Sequence, residues 1–199
     1  MSADAAILVN GLPGAGKSTL STGLAKRLGL PLLSKDVIKE THADVLGCSC
    51  PGYSQRDWNS ALGRAASTTM WALLAAAPAG AVLESSWRSE VRDLVVEGLG
   101  TSPHLRVVEV WCQVPAAVAR ARLEARRPRH PIHGALPSDS EWRTWEQHAE
   151  PLALGPVLCV DTSSPVDVDR VIDWIVGTAS VPPPERGVST PAPVPGCER

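Results

Sequence analysis

The run Gly11-Leu12-Pro13-Gly14-Ala15-Gly16-Lys17-Ser18-Thr19 carries the most specific chemistry in the chain, because it fits the pattern G-x-x-x-x-G-K-[ST] without a mismatch. Glycines at 11, 14 and 16 let the backbone curl so that successive N–H groups point inward at phosphate oxygens. Backbone N–H groups from Gly14-Ala15-Gly16 onward, up to Thr19, form such a nest, with Pro13 in the loop ahead of them, and the positive end of a following helix adds to it. Lys17 can reach the outer phosphates as a point charge, and the Ser18 hydroxyl suits a Mg²⁺ ion bridging the same groups. Thr19 reads as a first-turn helix residue. Binding of a nucleoside triphosphate, ATP with Mg²⁺, is the expectation that these residues support most directly.

The pattern counts only between a strand and a helix, and the flanks provide both. Ala5-Ala6-Ile7-Leu8-Val9 is an apolar run long enough for one buried strand. Leu20, Leu24 and Leu28 then recur at helical spacing, with Lys26-Arg27 before Gly29 as a stop signal.

Further candidates sit where later strands should end. Pro31 to Ser34 reads as a short strand leading to Lys35-Asp36, with a helical turn expected from Val37. An acid at a strand's carboxyl end lies on the edge where α/β sheets bind ligands, so Asp36 is a candidate catalytic and acceptor-binding residue, although Asp also suits a helix N-cap. The segment from Leu46 to Gln55, with Gly47, Cys48, Cys50, Pro51, Gly52 and Tyr53, reads as an irregular loop, and Arg56 to Ala77 as a long Ala-rich helix. Ala81-Val82-Leu83 is a strand ending in Glu84-Ser85-Ser86-Trp87-Arg88, a polar and aromatic cluster aimed at the same edge. Glu84 occupies the place of an acid that helps to hold Mg²⁺.

Leu105 to Cys112 is a further strand, apolar apart from Arg106 and Glu109, and Pro115 is expected to open a helix at its first position. Five arginines at 120, 122, 126, 127 and 129 lead into His130-Pro131-Ile132-His133-Gly134. Arg122 and Arg126, four apart on one helix face, are the candidates for stabilising a transferring phosphoryl group, with Arg129 behind them. Val157 to Val160 is the last strand, and Asp161-Thr162 after it lies where a nucleotide base would be contacted.

Bulk properties bound the classes. With 199 residues, 44% of them apolar, the chain is one domain with one sizeable core. The formal charge of −2 gives no global pull toward nucleic acid or an anionic membrane, which favours a small-molecule acceptor. No apolar run is long enough for a bilayer. Five cysteines, an odd and scattered set, do not form a disulfide framework and fit a cytoplasmic protein; Cys112 and Cys159 read as core residues, and the Cys48/Cys50 pair lacks partners for a zinc site. From Thr178 onward Pro, Ser, Thr and Gly dominate, so residues 1–178 read as the domain and 179–199 as a disordered tail.

Strands alternating with helices, five strands in all, imply an α/β fold with a mostly parallel sheet. The set formed by Gly11 to Thr19, Ser34 to Lys39, Glu84 to Trp87, Arg122 to Arg126, Arg129 to His133 and Val160 to Thr162 resembles the small P-loop kinases. It is nearest the polynucleotide-kinase and chloramphenicol-phosphotransferase group, to which zeta toxins are related. The resemblance spans about residues 5 to 176 and implies a three-layer P-loop NTPase fold with strand order 2-3-1-4-5. It also implies an arginine-bearing lid, about 120–137, and transfer of the γ-phosphoryl of ATP to a hydroxyl. In that setting Asp36 matches the acid that accepts the hydroxyl proton, and Tyr53, Glu84, Trp87, Arg88, His130 and His133 surround the acceptor. Two alternatives stay open: a polynucleotide 5′-hydroxyl as acceptor, and a regulatory ATPase that phosphorylates nothing.

Overall fold

The computed structural model describes residues 4–126 and 129–178. Arg127, Pro128 and the expected tail at 179–199 lie outside them. Strand β1 (Ala5–Asn10) is buried along its whole length, as an apolar run flanked on both sides must be. Its alternating side chains feed two different cores. Ala5, Ile7 and Val9 face helix α1 (Lys17–Leu28) and the closing helix α7 (Val168–Thr178), which contribute Leu20, Leu24, Val171 and Ile175. Ala6 and Leu8 face the other way, toward Met70 and Leu74 of α3 (Gln55–Ala75) and Val95 of α4 (Arg92–Leu99). Truncating a core residue such as Leu24 to Ala would cost about 2–5 kcal/mol.

The sheet has five parallel strands in the order β2 (Leu32–Ser34), β3 (Gly80–Glu84), β1, β4 (Arg106–Gln113), β5 (Val157–Asp161). Registers place the carboxyl ends together: Ser34 pairs with Glu84, Glu84 with Val9, and Asn10 with Trp111. The chain therefore delivers Gly11, Lys35, Ser85 and the segment after Gln113 to one edge. A smaller third cluster, Ala43, Leu62 and Ile132, packs α2 (Lys35–Leu46) against α3.

Some boundaries differ from the sequence expectation. Helix α2 starts at Lys35, directly from the strand, so Asp36 stands in its first turn rather than at the N-cap. Ser34 holds the cap position, but its hydroxyl is turned to Glu84 instead. Helix α3 begins at Gln55, where the Ser54 side chain accepts from Asp57 N, and ends at Ala75, before Ala77. Pro115 is the N-cap of α5 (Ala116–Ala125) and not its first residue. Helix α6 (Asp139–Gln147) opens on a capping box in which Ser138 and Glu141 satisfy each other's backbone N–H groups. Cys112 is a buried free thiol as expected, whereas Cys159 is half-buried and disulfide-bonded, which corrects the expectation of a second core thiol.

Candidate active site

The loop between β1 and α1 has the shape its glycines imply. Gly14 and Gly16 adopt φ of 86° and 87°, a left-handed region costly for other residues. A Cβ at Gly14 would lie 2.1 Å from the Ala119 carbonyl oxygen, so α5 packs directly on the loop. Gly16 caps α1, and Ala15 N donates to Leu12 O at 3.0 Å to close the turn. Gly11 and Ala15 are buried, Pro13 borders a cleft, and Ser18 and Thr19 are exposed in the first helical turn.

Lys17 is buried, with all three ammonium protons placed: it donates to Gly11 O at 3.0 Å, Leu12 O at 2.9 Å and Ser86 Oγ at 2.7 Å. Burial pushes its pKa below the ordinary lysine value, and this is opposed by the negative groups around it, Glu84 foremost and Asp36 after it. Arg126 adds a positive charge from the end of α5. Charges from β3, α2 and the end of α5 thus all act on the Lys17 ammonium. Glu84, buried at the end of β3, accepts from Ser34 Oγ at 2.5 Å and from Ser18 Oγ at 3.3 Å. That pairing of hydroxyl and carboxylate fits a divalent cation held chiefly by phosphate oxygens. Among the described residues no trio of His, Cys, Asp or Glu forms a cation site of its own.

Asp36 is exposed in the first turn of α2, outside the cleft lining. The expected arginines divide. Arg120 is spent on Glu124 (2.9 Å) and Asp139 (2.6 Å), and Arg122 donates to the carbonyls of Thr162 (2.9 Å) and Ser163 (3.1 Å). Arg122 therefore fixes the segment after β5, while Arg126 is exposed at the end of α5 and adds its charge to the surroundings of Lys17. Arg129 is half-buried beyond the two residues outside the description. Thr162 is buried, bonded twice to Gln113 O (2.9 and 3.0 Å) and packed on Gly16, and Asp161 accepts from Ser163 N at 2.8 Å. That hydrogen bond holds the Asp161 carboxyl below its ordinary pKa.

His130 and His133 are engaged with α2: His133 Nε2 meets Glu40 Oε1 at 2.6 Å, and His130 Nε2 meets Asp44 Oδ1 at 3.0 Å. They fasten the segment after α5 to α2, and neither borders the cleft. Tyr53 is exposed against Trp58, 5.7 Å between ring centres, also apart from the cleft lining. Trp87 and Arg88 do border the cleft, a small opening of about 10 Å³ beside the phosphate loop, room for roughly one water. Leu12, Pro13, Trp111 and Trp145 complete its walls.

One functional pair escaped the sequence reading. Asn10, fully buried, accepts from Gly11 N at 2.8 Å and Trp87 N at 2.9 Å, and donates to Glu109 Oε1 at 3.0 Å. Glu109 also receives Leu152 N at 3.1 Å and Ala153 N at 2.9 Å, while burial raises its pKa against these donors. Two side chains 99 residues apart thereby tie the phosphate loop, the loop after β3 and the segment after α6 together. A polar residue ending a buried strand, matched by a lone acid in another, was the available signal.

Comparison with known proteins agrees with this geometry. The sequence profile of the AAA domain family (AAA_33) matches residues 7–152. The chain belongs to that family. A presumed kinase from Chloroflexus aurantiacus is 30% identical over 87% of this chain and 97% of its own, with a TM-score of 0.74. Shikimate kinase from Acinetobacter baumannii in complex with shikimate, 17% identical over 87% of this chain and 93% of its own, has a TM-score of 0.60. A sugar kinase from Janibacter is 18% identical over 89% and 99%, with a TM-score of 0.53. These two share the fold alone, which is that of the P-loop kinases. A comparison with curated proteins finds no match. Among the described residues of this AAA-family domain, no helix is long and apolar enough to cross a membrane.

Proposed function

We propose that this domain transfers the γ-phosphoryl group of ATP to a hydroxyl of a small molecule. The observation that carries the reading is a glycine-shaped phosphate loop with the Lys17 ammonium held inside it by Gly11 O, Leu12 O and Ser86 Oγ, and with Ser18 Oγ 3.3 Å from the Glu84 carboxylate. Small-molecule kinases among proteins of the same fold support it. Residues 11–19 would cradle the phosphates, with Asp161 and Thr162 bordering the nucleotide base. Ser18 and Glu84 would hold Mg²⁺, which when bound neutralises charge on the phosphate oxygens.

The chain's own groups then have separate tasks. Lys17 and Arg126 offset negative charge as it moves toward the leaving oxygen, the term that dominates catalysis of such transfers. Asp36, exposed in the first turn of α2, accepts the proton of the attacking hydroxyl. The acceptor oxygen bonds to phosphorus as the bond to the bridging oxygen breaks, with no covalent enzyme intermediate. Trp87 and Arg88 border the acceptor.

The test uses radiolabelled ATP with a panel of hydroxyl compounds. Lys17→Ala abolishes turnover, whereas Asp36→Asn leaves ATP binding nearly intact and lowers turnover at least ~100-fold, as for a lost general base. Full activity of Asp36→Asn would remove that acid from the mechanism.

A further inference from the structure

The chain has four lysines, all within its first 39 residues. Lys17 has its ammonium bonded inside the phosphate loop, and Lys26 is exposed on α1. Lys35 and Lys39 differ from both. They stand one turn apart on α2, a spacing that puts two residues on the same helix face, and both are half-buried. Among the described residues neither ammonium has a hydrogen-bond or ion-pair partner. Two acids of α2 are already engaged elsewhere: Glu40 meets His133 Nε2 at 2.6 Å, and Asp44 meets His130 Nε2 at 3.0 Å. Asp36 is exposed and bonded to neither lysine.

A half-buried ammonium without a partner is costly, because burial removes water that no acceptor replaces. Burial accordingly pushes both lysines below their ordinary pKa, opposed in each case by Asp36. A third cation acts here. Arg88, four residues past Glu84, adds its charge to the surroundings of Lys35. Its Nε lies 3.4 Å from Glu90 Oε2, and among the described residues its terminal nitrogens have no acceptor. The sheet fixes where these cations stand relative to the phosphate loop. Lys35 follows directly on Ser34, whose hydroxyl donates to Glu84 at 2.5 Å, and Glu84 accepts from Ser18 of the loop at 3.3 Å. A carboxylate offers one charge in one plane, which a single guanidinium satisfies. Two separate ammoniums with a guanidinium suit a phosphate group, which carries about −1.5 to −2 near neutrality on three diverging oxygens.

We propose that Lys35, Lys39 and Arg88 bind a phosphate that the acceptor already carries, so that the substrate is a small phosphomonoester with a free hydroxyl. This rests on the kinase reading above. Asp36 shares the first turn of α2 with Lys35, so the acceptor's phosphate and the base that serves its hydroxyl lie on the same element. The hydroxyl oxygen bonds to the γ-phosphorus, the bond to the bridging oxygen breaks, Asp36 takes the proton and ADP leaves. The phosphate held by the lysines does not react, and the product carries two phosphates.

Two measurements on the full chain test this, and the first needs no turnover. Protein saturated with Mg²⁺ and a non-hydrolysable ATP analogue, whose γ-phosphate fills the loop, is titrated with methyl phosphate in a calorimeter. Saturable binding is expected, with acetate at least ~10-fold weaker. Lys35→Met and Lys39→Met should each weaken it ~10-fold or more, the scale of one charge-assisted hydrogen bond, while Lys26→Met behaves as wild type and Lys39→Arg keeps part of the affinity. Melting temperature separates binding from support of the fold. Each Met variant removes an uncompensated charge and should melt at or above the wild-type temperature without ligand, whereas lysines that brace α2 would lower it. No saturable binding, or equal binding by wild type and the double Met variant, overturns the site and leaves the kinase reading intact. The second measurement adds two pairs to the hydroxyl panel above: glycerol with glycerol 3-phosphate, and glucose with glucose 6-phosphate. The phosphorylated member should be used with kcat/KM at least ~10-fold above its parent, and Lys39→Met should remove the preference through KM. Preference for the neutral parents overturns the acceptor class alone. Transfer to none of the panel, although ATP binds, overturns the kinase reading, and the titration then decides the anion site by itself.

Discussion

Asn10→Ala tests the strut beneath the site. The wild-type amide accepts from two buried backbone N–H groups, Gly11 N and Trp87 N, and donates to Glu109. Alanine leaves both N–H groups without a partner, at about 1–3 kcal/mol each, so the loss should be about 3 kcal/mol. At roughly 2–4 °C per kcal/mol for a domain of this size, Tm should fall by about 6–12 °C. Asn10→Asp separates the two halves of the role, because it keeps the acceptor but sets a second carboxyl against Glu109. The Glu109 pKa is already raised by burial, so its contribution is present below the ordinary carboxylate value and is lost as pH rises through the folded value. A neighbouring acid raises the pair further. Asn10→Asp should therefore regain stability toward acid pH and lose it toward alkaline pH, and do so more steeply than Asn10→Ala, which removes the amide donor to Glu109 without adding a second acid. Differential scanning calorimetry at pH 5 and 8, with ATP titrations alongside, measures both. A Tm for Asn10→Ala within about 1 °C of wild type, or an Asn10→Asp variant indifferent to pH, would refute the strut.

Other outcomes follow from single contacts. Gly14→Ala should abolish ATP binding in calorimetry, since its Cβ would sit 2.1 Å from Ala119 O at a backbone angle that alanine disfavours. Arg122→Met should weaken ATP binding by about 10-fold while leaving kcat at saturation within a few-fold, because the side chain positions residues 162–163 instead of meeting the phosphoryl group. Native protein treated with iodoacetamide at pH 8 should be labelled at Cys48 and Cys50 but not at Cys112, whose burial pushes its thiol up to about 12. Peptide mapping that finds Cys112 alkylated would contradict that burial.

The sheet was legible because β1 and β3 are uninterrupted apolar runs, each followed by turn or polar residues, and the phosphate loop because its backbone angles demand glycine at fixed positions. Glu84 and Asp36 were legible as acids at strand ends. What sequence could not give was pairing at a distance. Glu109 read as an exception within an apolar strand, and only the fold brings Asn10 beneath it. His130 and His133 looked ready for a ligand, yet α2 supplies Glu40 and Asp44 from the preceding hundred residues. Arg122 and Arg126 share a helix face by spacing, but α5 ends at Ala125 and Arg126 leaves the helix on extended backbone, while Arg122 is bound to the carbonyls of Thr162 and Ser163.

The three acceptors around the Lys17 ammonium carry one last implication. An incoming triphosphate exchanges existing bonds instead of adding new ones, and the exchange releases the hydroxyl of Ser86 at the inner wall of the neighbouring cleft. Occupancy on one side thus alters the polarity offered on the other, and thermodynamic reciprocity requires the effect to run both ways. On the proposed kinase reading, nucleotide first and acceptor second is the order of addition that this arrangement favours, and each should tighten the grip on its companion.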